Sequence, residues 1–195
     1  QLIIRIKTMS KKLFLASVAK AAFALAAVVM MSTVFTSCSK DSDNDDDAKK
    51  FTNTVTFGGM EKSIVKAEYE DRDGGDYKLF FYLVEEGSVE RVEIQLNEDL
   101  HMTGKPINLK EKEKKHSGLY WGVTYFTPDG ETFFNTFAGP SSPIPVFKDG
   151  TLTVNGGPVN GIKIKLENGL VVGKDDNEHT FTMSYSGKMT KKKKK

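Results

Sequence analysis

Beyond residue 50, apolar side chains recur at every second position, a period that fits half-buried β-strands and excludes amphipathic helices. Val92, Ile94 and Leu96 alternate with Arg91, Glu93 and Gln95. Ile162, Ile164 and Leu166 alternate with Lys163 and Lys165, and Phe181, Met183 and Tyr185 with Thr180, Thr182 and Ser184. Leu79 to Val84 is instead a continuous apolar run, the pattern of a central strand covered on both faces. Asp73-Gly74, Asp129-Gly130, Asn155-Gly156 and Asn168-Gly169, with Asp149-Gly150, tolerate the positive φ of tight hairpin turns. About ten strands are expected, near 51–57, 60–69, 77–85, 89–97, 106–109, 118–127, 131–138, 151–155, 159–167 and 178–187. No helical period is evident in this stretch, and the charged run 111–115 reads as loop. The expected fold is all-β: an antiparallel meander forming a sandwich or a partly closed, lipocalin-like barrel, as a single domain over 51–190. Pro140, Pro143 and Pro145 interrupt the sheet between the seventh and eighth expected strands.

The first fifty residues follow other rules. Residues 1–37 hold five basic side chains and no acidic one. Met9-Ser10-Lys11-Lys12 opens an apolar stretch, interrupted by Lys20, whose final run from Ala21 to Met31 is eleven residues long. A spanning helix takes about 17–25 apolar residues and a signal h-region about 7–15. The expectation is a helical secretory signal starting at Met9, with residues 1–8 as upstream translated sequence.

Val34-Phe35-Thr36-Ser37-Cys38-Ser39 resembles a bacterial lipobox, with Phe35 where leucine is commoner. The resemblance implies cleavage before Cys38, a diacylglycerol thioether on its sulfur and acylation of the freed amino group. At about 0.8 kcal/mol per buried CH₂, several acyl chains anchor a protein without a spanning helix. Cys38 is the sole cysteine, so an internal disulfide is excluded. Residues 38–50 read as a disordered tether, with five acids and one apolar side chain, Ala48. Lys40, Asp41, Asp43, Asp45, Asp46 and Asp47 resemble the acidic export signal of surface lipoproteins of the Bacteroidetes, which implies display on the outer membrane surface. An EF-hand reading of Asp41, Asp43 and Asp45 fails, because Asp46 stands where glycine is required and Thr52 where a bidentate Glu is required. The stretches Phe147–Val154 and Tyr185–Met189 loosely resemble small β-rich lipoproteins of Bacteroides and Prevotella, a likeness that implies location and fold without a functional motif.

Charge separates the same segments. The chain's net +2 conceals a body, residues 51–190, with 15 basic and 21 acidic side chains. The last five residues, Lys191–Lys195, form a lysine block expected to stay disordered. An acidic body argues against a nucleic-acid partner. His101, His116 and His179 lack metal-ligand spacing, and His116, at the end of a charged run, is expected to be solvated. No G-x-S-x-G, H-E-x-x-H or phosphate-cradling glycine loop occurs, so no catalytic residue, metal or cofactor is assigned. The most aromatic hairpin joins strands 118–127 and 131–138. Leu119, Trp121, Val123 and Tyr125 share one face, with Tyr120 and Phe126 on the other. Its rings read first as core. The alternative is a ligand platform at Tyr120, Trp121, Phe133 and Phe134, directed at a glycan or apolar molecule. The functional expectation is a non-catalytic, membrane-anchored binding or accessory module for an unknown protein or glycan. A small-ligand carrier or protease-inhibitor-like barrel is the alternative. A hollow lined by Phe80, Tyr82, Trp121 and Phe134 would mark a carrier, and a filled core with a protruding loop at 139–146 would mark protein docking.

Overall fold

Alternating strands bury one face against a partner sheet, and among the described residues twelve strands form two six-stranded sheets. The computed structural model describes residues 51–84 and 89–193. Strands β1 (Thr54–Phe57) and β2 (Met60–Ser63) form a hairpin, and β3 (Lys66–Asp71), β4 (Asp76–Tyr82) and β5 (Arg91–Asn97) a meander. A one-turn helix α1 (Glu98–His101) leads to β6 (Thr103–Asn108). After a long loop come the hairpin β7 (Gly122–Phe126) and β8 (Thr132–Phe137), then β9 (Asp149–Gly157), β10 (Gly161–Val172), β11 (Glu178–Gly187) and β12 (Thr190–Lys191). The first sheet has the order β2-β1-β11-β10-β9-β6 and the second β12-β3-β4-β5-β7-β8. All pairs are antiparallel except β12 on β3, which is parallel. The fold is a sandwich and not a closed barrel.

One core joins the sheets. Val92, Ile94 and Leu96 of β5 meet Leu152, Ile164 and Phe181 of the first sheet, all fully buried. Each such side chain contributes about 1.5–3 kcal/mol. The continuous run in β4 is buried on both faces as expected. Leu79 and Phe81 belong to the shared core, whereas Phe80, 3% exposed, lies on the outer side and outside that core.

Several boundaries differ from the alternation pattern. The expected strand 60–69 is two strands in different sheets. Ile64 N–H still donates to Asn53 of the first sheet at 2.8 Å, while Val65 N–H donates to Tyr82 of the second at 2.9 Å. The chain turns the corner between neighbouring residues, and the inward positions slip by one, from Ile64 to Ala67 and Tyr69. Asn155-Gly156 falls inside β9. Asn168-Gly169 falls inside β10, where the register shifts between Leu166 and Gly169 and Asn168 has φ +54. Positive φ serves a bulge there rather than a turn. Helix α1 is too short to leave a period. Its sequence signal is the cap, Asn97, whose side chain accepts from Leu100 N–H at 3.3 Å. The lysine block, expected to be disordered throughout, begins inside β12. Lys191 pairs with Tyr69 in register, and Lys192 N–H donates to Tyr69 O at 2.8 Å.

The β6 and β8 edges are protected. Pro106 removes a donor from β6. On β8, Phe133 O accepts from Lys174 N–H at 2.7 Å, and Phe137 N–H donates to Pro145 O at 2.9 Å.

Candidate functional site

Strand parity decides the fate of the expected platform. Trp121, just before β7, points inward with Val123 and Tyr125 and is completely buried; Phe134 is 3% exposed. Tyr120 and Phe133 are half-buried but lie in separate clusters. Tyr120 sits 4.2 Å from the His116 ring and 6.0 Å from Phe137. Phe133 packs on Phe57 at 5.0 Å and on His179 at 5.2 Å. The four residues form no common exposed surface. The carrier set fails similarly: Phe80 and Tyr82 occupy outward positions of β4, and Trp121 and Phe134 the interior, so no cavity is lined by all four.

The outer face of the second sheet is a different matter. Tyr82 donates its hydroxyl to Glu68 at 3.0 Å, and burial together with that bond pushes its pKa up to about 12. Glu93, almost buried, bridges Lys78 at 2.6 Å and Arg91 at 2.7 Å. The Arg91 guanidinium lies 4.0 Å over the Phe126 ring. Gly122 interrupts this carpet of side chains and leaves a cleft of about 280 Å³. Its walls are Lys78, Glu93, Gln95, Thr124, Asn135, Thr136, Phe137 and Ile144. A Cβ at position 122 would meet Gln95 Cγ at 3.0 Å and Thr136 O at 3.2 Å. Gln95 donates through Nε2 to Tyr120 O at 3.0 Å, and Thr124 donates to Asn135 Oδ1 at 2.9 Å. That leaves an amide oxygen from Gln95 and amide protons from Asn135 in a cleft that Phe137 also lines. Such a mixture suits a neutral, hydroxyl- or amide-bearing ligand. The first sheet's outer face instead carries hydroxyls and cations, including Thr56, Thr182, Lys163 and Lys165.

A second polar constellation holds the loop between β6 and β7. Asn97 N–H donates to His101 Nδ1 at 2.8 Å, which places the ring proton on Nε2. That nitrogen donates to Glu113 Oε1 at 2.6 Å. Glu113 Oε2 accepts from Trp121 N–H and from His116 Nε2, both at 3.2 Å. Burial raises the Glu113 carboxyl, but these hydrogen bonds prevail and hold it below the ordinary carboxylate range. His116, expected to be solvated, is therefore half-buried; its Nδ1 lies 2.7 Å from Ser117 O. Lys112 anchors the next loop by donating to Phe137 O at 2.7 Å, Ser142 O at 3.3 Å and Ile144 O. His179 pairs with Asp175, 3.0 Å from each carboxylate oxygen. Among the described residues, no group of three or more His, Cys, Asp or Glu is arranged to hold a metal ion. No helix among them is long and apolar enough to cross a membrane.

Alternation located the inward faces, and the cleft escaped it. Most of its walls are outward positions of several strands, each of which reads alone as a wet face, and its floor is a residue without a side chain. Cys38, Lys40, Asp41, Asp43, Asp45, Asp46 and Asp47 lie outside the described residues. The chain matches no protein-family model, no curated protein and no solved structure.

Proposed function

We propose that the chain is a non-catalytic binding module carried on an outer membrane surface by lipid at Cys38, with its ligand seated on the outer face of the second sheet. The cleft at Gly122 is the observation that carries the binding part of this reading. It joins amide donors and acceptors to an aromatic side chain, Phe137, on an otherwise salt-bridged surface. The packed interior favours surface binding over a carried small molecule. The segment 139–146, fastened by Lys112, borders the same cleft through Ile144, so a protein or a glycan ligand would meet both. Anchoring rests on the order of signal, lipobox-like cysteine and acidic tether in the sequence.

Two measurements test the two parts. Cys38→Ala should abolish incorporation of labelled palmitate and release the chain from membranes; retention of that variant would overturn the lipid anchor. Neutralising Asp43, Asp45, Asp46 and Asp47 should leave the chain lipidated but inaccessible to surface labelling. For binding, the Cys38→Ala chain is screened on a glycan array and in pull-downs with surface extracts. Asn135→Ala and Gln95→Ala should lower the affinity of any hit by about tenfold, the scale of one lost polar contact to a partner. Thr153→Ala, on the opposite face, should not. Equal affinity in all three variants would remove the cleft from the reading.

A further inference from the structure

Phe80 points out of the sandwich, yet it is among the most buried rings of the second sheet. Its cover comes from lysines. Lys192 Nζ lies 3.8 Å from the ring centroid and Lys78 Nζ 5.5 Å. The Lys192 ammonium also lies 3.2 Å from Glu70, and Lys191 reaches Asp71 at 3.7 Å. The backbone joins in, with Thr190 paired to Glu68 and Lys192 N–H donating to Tyr69 O at 2.8 Å. An aromatic face, a carboxylate and a strand edge together are the elements by which a sheet recognises an extended cationic peptide. Here all three already act on one segment. The strand β12 has two residues against the six of β3, so most of that edge remains open to a longer strand. The anchor of the segment lies before it: Met189 is buried in the core and its N–H donates to Pro158 O at 2.9 Å. Residues 190–193 can therefore leave the edge while the core keeps its closing residue.

We infer that the β3 edge, with Phe80 and Glu70, is a binding site for extended lysine-bearing peptide segments, occupied in this chain by its own residues 190–193. The site takes a lysine ammonium between ring and carboxylate and a backbone along β3, and an incoming peptide displaces the chain's own tail. Burial raises the Glu70 carboxyl, but Lys192 and Arg72 outweigh it and keep it ionised below its ordinary range, as a cation-binding carboxylate requires. The inference is independent of the Gly122 cleft and stands if that cleft binds nothing.

The test uses the Cys38→Ala chain in two lengths, one complete and one ending at Met189. The probe is a fluorescein-labelled Thr-Lys-Lys-Lys-Lys-Lys peptide, followed by anisotropy. The shortened chain should bind the probe about tenfold more tightly than the complete one, whose tail competes in cis. Phe80→Leu and Glu70→Gln in the shortened chain should each weaken binding several-fold, and a probe with acetylated lysines should not bind. If the shortened chain proves unfolded by circular dichroism, the complete chain carrying Lys191→Ser and Lys192→Ser opens the same site. Equal affinity of the complete and opened chains overturns the proposal. So does binding that ignores Phe80→Leu, because attraction to the acidic body in general needs no aromatic ring.

Discussion

Trp121 lies inward and completely buried, 6.3 Å from Phe147, with an indole N–H that meets no acceptor among the described residues. Removing the ring would empty a large volume that the sheets cannot refill. Trp121→Ala is expected to cost about 3–5 kcal/mol in urea denaturation. Trp121→Phe keeps much of the packing and discards the unpartnered donor, so its cost should stay under about 2 kcal/mol. Equal stability of Trp121→Ala and the parent chain would place the ring outside the core. Glu113 makes a different argument, because its carboxylate gathers donors from His101, His116 and the Trp121 backbone. In Glu113→Gln an amide NH₂ must face one of those donors, at a cost of about 1–3 kcal/mol. The carboxyl's folded pKa lies below its ordinary 4.5. Its contribution is thus fully present above 4.5 and is lost as pH falls through the lower folded value. The parent should lose stability over that acid window more steeply than Glu113→Gln, as read from denaturation midpoints at stepped pH.

Within the strands, glycine positions separate what alternation shows from what it hides. Asp73-Gly74 and Asp129-Gly130 stand between antiparallel neighbours, β3–β4 and β7–β8, as their composition suggests. Asn168-Gly169 has the same composition but lies in a bulge of β10. A Cβ on Gly169 would lie 2.1 Å from Phe181 O and 2.8 Å from Leu166 Cδ2. Backbone on one side and core on the other leave no room to yield. Gly169→Ala should cost about 3 kcal/mol, the upper end of overpacking, and a loss below about 1 kcal/mol in thermal or urea unfolding would contradict this close approach. Turn and bulge share a need for positive φ, so dipeptides identify the conformation without saying whether the chain reverses. By contrast, the period of two slips by one residue where apolar Ile64 and Val65 stand side by side: the inward positions pass from Ile64 to Ala67 and Tyr69, and the slip marks the corner at which the chain changes sheets. The inward faces of β5, β7, β10 and β11 were legible from alternation alone, whereas the continuous apolar run of β4 did not separate inward Leu79 and Phe81 from outward Phe80. The Glu113 network was not legible, because that residue sits in a run of lysines and acquires its meaning from His101, twelve positions earlier.

Across the whole molecule, residues from the two ends of the body complete both sheets, with unequal consequences. In the first sheet β1 lies between β2 and β11, with Thr54 opposite Ser184. Val55 of β1 is 1% exposed, and Phe57 touches Tyr125 at 4.8 Å and Phe133 at 5.0 Å across the sandwich. In the second sheet β12 covers an edge with two exposed residues. The β1–β11 ladder joins segments more than a hundred residues apart, so its loop-closure entropy is spent before any contact rewards it. Refolding of the body should therefore fall in the millisecond-to-second range typical of non-local β folds. Deleting residues 51–63 would leave β11 as a bare edge beside an opened aromatic cluster, and should abolish the cooperative urea transition. Deleting residues 190–195 removes few backbone bonds and screened surface pairs, a loss of about 1 kcal/mol, and should leave the denaturant slope unchanged. A cooperative transition in the first deletion would mean that the sandwich closes without β1. A changed slope in the second would mean that the tail belongs to the core rather than to its edge.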